Sequence, residues 1–282
     1  MSIALFIFSL IQLDSVTTVI VESSQQLFQK AVSISAASDG MIFVIDQFSN
    51  TLQEISNDNR SKKSIGGQGW GNDAFDLPTD VSSRFLLDIF VVDANNRRVQ
   101  RYDKQFNFVQ TYDEKIISSI SGRFQPMATA TSAQGDLYIL EKDGKRVIAL
   151  TPRGQFIREF GTFKESTGKL TDPKDIAVSG LDEVFVLDRN AVMIYDNFGN
   201  YLRRIVLSPT EEWKSITISG NTLIATSALR IEIFYFDTEK RLIISPQSFF
   251  GAKVHQPFSD ALIQDSALII LTQTTLYRCS IP

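Results

Sequence analysis

The sequence predicts an all-β protein, a six-bladed β-propeller whose ring is closed by an N-terminal strand completing the last blade. Three observations predict it. Short apolar runs recur six times at a nearly constant spacing. Prolines recur at a fixed distance before them. Nowhere do apolar residues follow the helical period.

The runs are MIFVID ending at Asp46, IFVVD at Asp93, LYILE at Glu141, VFVLD at Asp188, LIAT at Thr226 and LIILT at Thr272. Successive end points lie 47, 48, 47, 38 and 46 residues apart. Pro78, Pro126, Pro173 and Pro257 each fall 15 residues before an end point, which chance placement of 8 prolines does not explain. Proline has no N–H to give to a ladder and suits the first residue of a strand. It therefore opens the first strand of each unit. The apolar run is the second strand, and segments such as LQEI, VQRY, VIAL and VMIY are the third. A fourth follows a turn, as in RGQFIREF (153–160). Four strands in about 40–50 residues make one blade. The sixth unit lacks a fourth strand, and SVTTVIVE (15–22) is expected to supply it, pairing the chain's two ends so that no edge is left open.

Residues 14–282 are thus expected to form a single domain. Residues 1–13, MSIALFIFSLIQL, are too few to cross a bilayer as a helix, which takes ~20 residues. They read as a candidate signal segment, although no basic residue precedes Lys30, and the protein is expected to be exported, periplasmic or extracellular.

Composition excludes several functions. A net charge of −4 and a pI near 5.2 oppose a sequence-independent grip on nucleic acid. With His255 as the single histidine, zinc sites built on two or three imidazoles are ruled out. Cys279 is the single cysteine, so no disulfide forms within the chain, and it is expected to behave as a small buried hydrophobe. No G-x-S-x-G elbow occurs, and no catalytic residue is assigned.

The second unit, GGQGWGNDAFDLPTDVSSRFLLDIFVVDANNRRVQRYDKQFNFVQTY, and the fourth, LTDPKDIAVSGLDEVFVLDRNAVMIYDNFGNYLRRI, resemble NHL repeats. The pattern of that family is a glycine-rich lead, a Phe or Leu three before a proline, a β-branched strand, an aromatic strand ending in Asp and a V-x-x-Y strand. The resemblance covers roughly 31–282 and is clearest in units two to four; Asp80 and Asp175 stand where the family often has glycine. It implies a closed propeller that binds protein, or in some members RNA or glycans, while a minority of related propellers are metal-dependent lactonases, esterases or lyases. Fold alone does not choose among these.

Repeat arithmetic places Ser33, Asp80, Ala128, Asp175, Trp213 and Ser259, with Asp260 adjacent, in one ring around the channel. Asp80, Asp175 and Asp260 with Trp213 are the candidate ligand-binding residues, and the three carboxylates are candidate ligands for calcium, which takes several oxygens. The competing reading has each Asp capping its own turn. The series Asp46, Asp93, Glu141 and Asp188 is expected to fix the turn into the third strand. GGQGWG (66–71) precedes a strand and not a helix, so it is a blade connector and not a phosphate loop; its Trp70 is a candidate anchor for a partner. Arg97, Arg98, Arg101 and Lys104, with Lys142, Lys145 and Arg146 one blade on, are either an RNA-binding strip or a solvated outer strand. The sequon Asn59-Arg60-Ser61 matters in a glycosylating host.

The leading functional expectation is a non-enzymatic binding or scaffolding propeller with a protein partner or a glycan. The chain is read as a monomeric domain or a subunit of a larger assembly. The first alternative is a metal-dependent lactonase- or esterase-like hydrolase, and the second is RNA binding.

Overall fold

A computed structural model describes residues 18–56, 61–83, 88–115, 123–250 and 253–281. The candidate signal segment and the first two sequon residues lie outside them. The described chain is all-β apart from one 3-10 turn at Pro246–Ser248. It opens with β1 (Val19–Gln26). Blade 1 is β2 (Ala31–Ala36), β3 (Ile42–Asp46), β4 (Thr51–Ile55) and β5 (Ser61–Gly66). Blade 2 is β6 (Pro78–Ser82), β7 (Ile89–Asp93), β8 (Arg98–Tyr102) and β9 (Phe108–Tyr112). Blade 3 is β10 (Pro126–Thr131), β11 (Leu137–Glu141), β12 (Arg146–Leu150) and β13 (Phe156–Phe160). Blade 4 is β14 (Pro173–Val178), β15 (Val184–Asp188), β16 (Ala191–Tyr195) and β17 (Tyr201–Val206). Blade 5 is β18 (Trp213–Ser219), β19 (Thr222–Ser227), β20 (Ile231–Tyr235) and β21 (Arg241–Ile244). After β22 (Phe249–Phe250), blade 6 is β23 (Phe258–Gln264), β24 (Ala267–Thr272) and β25 (Thr275–Ser280).

Every blade is an antiparallel meander. The first strands β2, β6, β10, β14, β18 and β23 each lie beside the first strands of both neighbouring blades, which closes the ring. The second strands of blades 1 to 4 are buried at every position because a neighbouring blade covers each face. That is why they read as unbroken apolar runs. Outer strands such as β17 are mostly exposed. Six apolar clusters fill the seams between blades.

The ring is closed as expected, with a shifted boundary. β1 pairs antiparallel with β25 from Ile20↔Ser280 to Gln26↔Thr275, so among the described residues the closing strand is Val19–Gln26 and runs past the expected end at Glu22, while 15–17 lie outside the described residues. Blade 6 also gains a strand that the repeat did not announce, because β22 adds parallel to the far side of β1.

Candidate functional site

The centre of the molecule is built by one irregularity repeated in every blade. Each first strand carries a bulge two residues in, after Ala31, Pro78, Pro126, Pro173, Trp213 and Phe258, and these pair with Asp46, Asp93, Glu141, Asp188, Ser227 and Thr272. The residues past the bulge are Ser33, Asp80, Ala128, Asp175, Ser215 and Asp260, one per blade, and they form the true channel ring.

This corrects the expected ring at two places. Trp213 occupies the position that proline holds in blades 2 to 4, is 2% exposed, and donates its indole N–H to the Ser208 carbonyl at 2.9 Å. It is a core residue, and Ser215 takes its place in the ring. In blade 6, Asp260 and not Ser259 is the ring residue, and Phe258 and not Pro257 holds the proline position. The cause is local. Blades 5 and 6 join their first two strands by tight turns at 220–221 and 265–266, with φ of 55° at Gly220 and of 50° and 65° at Asp265 and Ser266. These hairpins are a residue shorter than the others, which moves the ring by one residue, and in blade 5 the matching end point is Ser227 and not Thr226, which moves it by one more, from Trp213 to Ser215.

The carboxylates stand on alternate blades and tie neighbours together. Asp80 accepts the Ser33 hydroxyl of blade 1 at 2.8 Å and the Thr129 N–H of blade 3 at 2.7 Å. Asp260 accepts the Ser215 hydroxyl of blade 5 at 2.6 Å and the Ile34 N–H of blade 1 at 3.0 Å. Asp175 accepts the Ile216 N–H of blade 5 at 2.7 Å and its neighbour Ile176 N–H at 2.8 Å. First strands are sheet edges whose N–H groups face the channel without a ladder partner, and these oxygens supply one. The link is therefore between blades and not a cap on each residue's own turn. Ala128 stands where Ser33 and Ser215 do, so Asp175 lacks the hydroxyl donor that the other two carboxylates receive.

Burial pushes all three carboxyls above their usual range. Asp175 is raised well above the usual carboxylate range, by burial and then by the charges of Asp80 and Asp260. Asp260 is pushed up to about 7. Asp80 is raised by burial despite donors from Thr129 and Ser33. The trio bounds one end of a cavity of about 320 Å3, which follows the first strands to the loops at Gly40, Ser219 and Asp265. Among the described residues, no three His, Cys, Asp or Glu side chains converge into a metal-ligand set.

The second acidic series is structural, with a longer reach than expected. Asp46 accepts the Gln29 and Lys30 N–H groups at 2.9 and 3.0 Å, Asp93 accepts Asp76 N–H at 2.7 Å, and Glu141 and Asp188 repeat the contact through Gln125 and Thr171. Asp46, Asp93 and Glu141 also hold the following turn, by accepting from Phe48 N–H, the Asn96 amide, and the Asp143 and Gly144 N–H groups, whereas among the described residues Asp188 accepts only from the entering residues Thr171 and Asp172. Where blades 5 and 6 have a hydroxyl instead, the polarity reverses. Ser227 donates to Glu211 at 2.6 Å and Thr272 donates to Gln256 at 3.0 Å. No pattern of identical residues could have shown that exchange.

The basic run does not form one strip. Arg98 and Arg146 are buried and paired with Asp93 at 2.8 Å and Glu141 at 3.2 Å. Arg101 pairs with Asp88 at 2.6 Å. Arg97, Lys142 and Lys145 stay exposed on turns between second and third strands, whereas exposed Lys104 lies in a turn at the opposite end of its blade. The interior arginine has a definite task, since Arg98 also donates to the carbonyls of Trp70 at 2.9 Å and Gly71 at 2.8 Å. GGQGWG is a connector, as expected. A side chain on Gly66, at φ +129°, would run into the Asn50 carbonyl. Its Trp70 is 74% exposed. Cys279 is buried, with its thiol pushed up to about 12 by burial, and His255 is exposed.

Two curated proteins share this repeat at the sequence level. The chain is 26% identical to the protein brain tumor of Drosophila melanogaster over 133 residues, and 27% identical to the B-box type zinc finger protein ncl-1 of Caenorhabditis elegans over 137 residues. The chain is an NHL-like six-bladed β-propeller. The matches take in 46% and 48% of this chain but only 12% and 16% of those larger proteins. No family model matches the sequence. Among solved structures, the propeller superimposes on a streptogramin B lyase with a TM-score of 0.66 and 11% identity, covering 92% of this chain and 98% of that one. A structure described as a putative gluconolactonase gives 0.65 and 12% identity, with 92% of each chain covered. At such identities the NHL-like propeller shares a fold with these enzymes, and the likeness says nothing of their chemistry.

Proposed function

We propose that this NHL-like propeller is an exported, non-enzymatic binding module that engages a protein partner through the end carrying the blade connectors. The observation behind this reading is Trp70. Its indole is 74% exposed while its backbone is clamped by the buried Arg98–Asp93 pair. A rigid exposed aromatic loses little freedom on binding and is the usual kind of interface anchor. Phe48, Phe163 and Leu229, at 66, 80 and 62% exposure, lie in turns or connectors at the same end. The protein brain tumor and ncl-1 share the repeat, which supports a binding role by analogy alone.

Capture from native extract tests the reading. Wild-type protein is expected to retain a partner that Trp70→Ala loses and Leu181→Ala, at the opposite end, keeps. Equal retention by both variants would overturn it. The hydrolase alternative rests on the channel carboxylates, and a calcium titration with no heat and no thermal shift disposes of its metal. N-terminal sequencing of secreted material tests export, because an intact Met1 is incompatible with a cleaved signal.

A further inference from the structure

The end that carries the blade connectors holds a groove with a chemistry of its own. Three pieces of chain frame it over blade 2. They are the connector entering the blade at Trp70, the turn from β7 to β8 at 95–97, and the chain leaving β9 at 113–115. The groove has a volume of about 630 Å3, within the range of ~300–1,000 Å3 that small-molecule sites occupy. Among the described residues, the Trp70 indole is the one apolar side chain in its lining, and it is 74% exposed.

The loop that carries the indole is fixed before any ligand arrives. Buried Asn96 donates to the Gly69 carbonyl at 2.8 Å, and buried Tyr102 donates to that of Asn72 at 2.6 Å. Buried Arg98 donates to the carbonyls of Trp70, Gly71 and Ala74 at 2.9, 2.8 and 3.0 Å. Little ordering cost therefore remains for that backbone on binding. The rest of the lining is polar and of both kinds. Asn95, Arg97 and Lys115 bring donors, while Asp113 and Glu114 bring acceptors. Of these, Asn95, Arg97, Glu114 and Lys115 are exposed. The two cationic and two anionic side chains cancel in formal charge. A phosphate chain in the groove meets two carboxylates and an amine meets two cations, so charge selects neither. An apolar peptide side chain is covered by the indole alone and desolvates polar groups elsewhere.

We propose that this groove binds a neutral oligosaccharide, with one pyranose ring lying on the Trp70 indole and its hydroxyls bonded to Asn95, Arg97 and Glu114. A hydroxyl carries one donor and two acceptor lone pairs, so a sugar uses both kinds of group at once. A pyranose also presents a face of C–H groups, which meets the negative face of an indole through dispersion and weak C–H contacts. Its bonds from Arg97 and to Glu114 are charge-assisted and so the stronger ones. A free saccharide and a glycan displayed on a protein offer this same chemistry. Trp70 remains the anchor of the reading given above, on which this inference rests, and the sugar is the group that it meets.

The chain has two tryptophans, and Trp213 is 2% exposed in the core, so a change in emission on adding sugar reports the groove. Cellotriose, maltotriose, mannotriose and chitotriose are titrated into the full chain, with a heparin fragment as the charged comparison. At least one neutral trisaccharide is expected to shift the emission to the blue and to saturate. Calorimetry then reads the variants. Trp70→Ala should weaken binding at least about tenfold, the scale of a lost anchor, and Trp70→Phe should keep part of it. Arg97→Gln should weaken it with no change in melting temperature, and Leu181→Ala, at the opposite end, should leave it unchanged. No shift with any of the four sugars, equal affinity in Trp70→Ala, or a preference for heparin would each overturn the proposal. Capture from native extract, before and after enzymatic removal of glycans, separates the two sources. Capture lost on deglycosylation places the sugar on the partner. Capture that survives deglycosylation and still needs Trp70 removes the sugar and leaves the protein partner. Saccharide binding beside capture that ignores Trp70 removes the partner reading and leaves a site for a free saccharide.

Discussion

Asp260→Asn turns the channel's electrostatics into a stability measurement. Asp260 is 4% exposed, and burial lifts its carboxyl from the usual 3.8 to about 7. The folded state therefore holds the proton more tightly than the unfolded chain. Stability from this group is complete below the unfolded pKa and is lost as pH rises through the folded one. A gap of about three units corresponds to about 4 kcal/mol across that window, with a slope of up to about 1.4 kcal/mol per pH unit. Asp80 and Asp175 shift in the same direction and add to the trend. Asparagine is neutral at every pH. It keeps a carbonyl to accept the Ser215 hydroxyl, but it sets an amide N–H2 against the Ile34 N–H now bound by Oδ2. That mismatch is expected to cost about 1–3 kcal/mol at pH 5. Between pH 5 and pH 8 the variant should lose less stability than the wild type, so that the two curves converge. Urea denaturation at four pH values and constant ionic strength reads this directly. Parallel curves for the two proteins would show that Asp260 does not titrate in this window, and the account of the channel as a set of reluctant carboxylates would fail.

Two further outcomes follow from the architecture. Removing the chain through Gln26 strips β1 from β25, uncovers an edge, and exposes the neighbours of fully buried Val19. The transition should fall by at least about 5 °C, from burial of one such side chain alone, whereas an unchanged midpoint would mean that β1 does not close the ring. Trp213→Ala should cost about 3–5 kcal/mol as a large core truncation. Urea denaturation reads the loss, and a variant as stable as the wild type would mean that Trp213 does not pack in the core.

The sequence made the blade visible because each second strand is covered on both faces, and double coverage demands an unbroken apolar run. Proline told where first strands begin, since a residue without an N–H tolerates that position. The same logic anticipated Trp70 in a connector, Cys279 in the core and the closing strand to within a few residues. It misplaced Trp213 because the offset from end point to ring was carried into a hairpin that is a residue shorter, and was counted from Thr226 where Ser227 is the matching end point.

Pairing, by contrast, was decided in three dimensions. Arg98 reads as one more surface charge until Asp93 and the Trp70 loop surround it. Ser227 and Glu211 read as unrelated residues until the fold sets hydroxyl donor against carboxylate acceptor. Asp80, Asp175 and Asp260 lie 80 or more residues apart along the chain, and only ring closure brings them to one cavity. Local sequence determines which residues form strands and which faces are dry, because those depend on period and on burial. Which polar groups meet, and hence which charges are strained and which acceptors are left open, depends on contacts between blades that no short stretch of chain encodes.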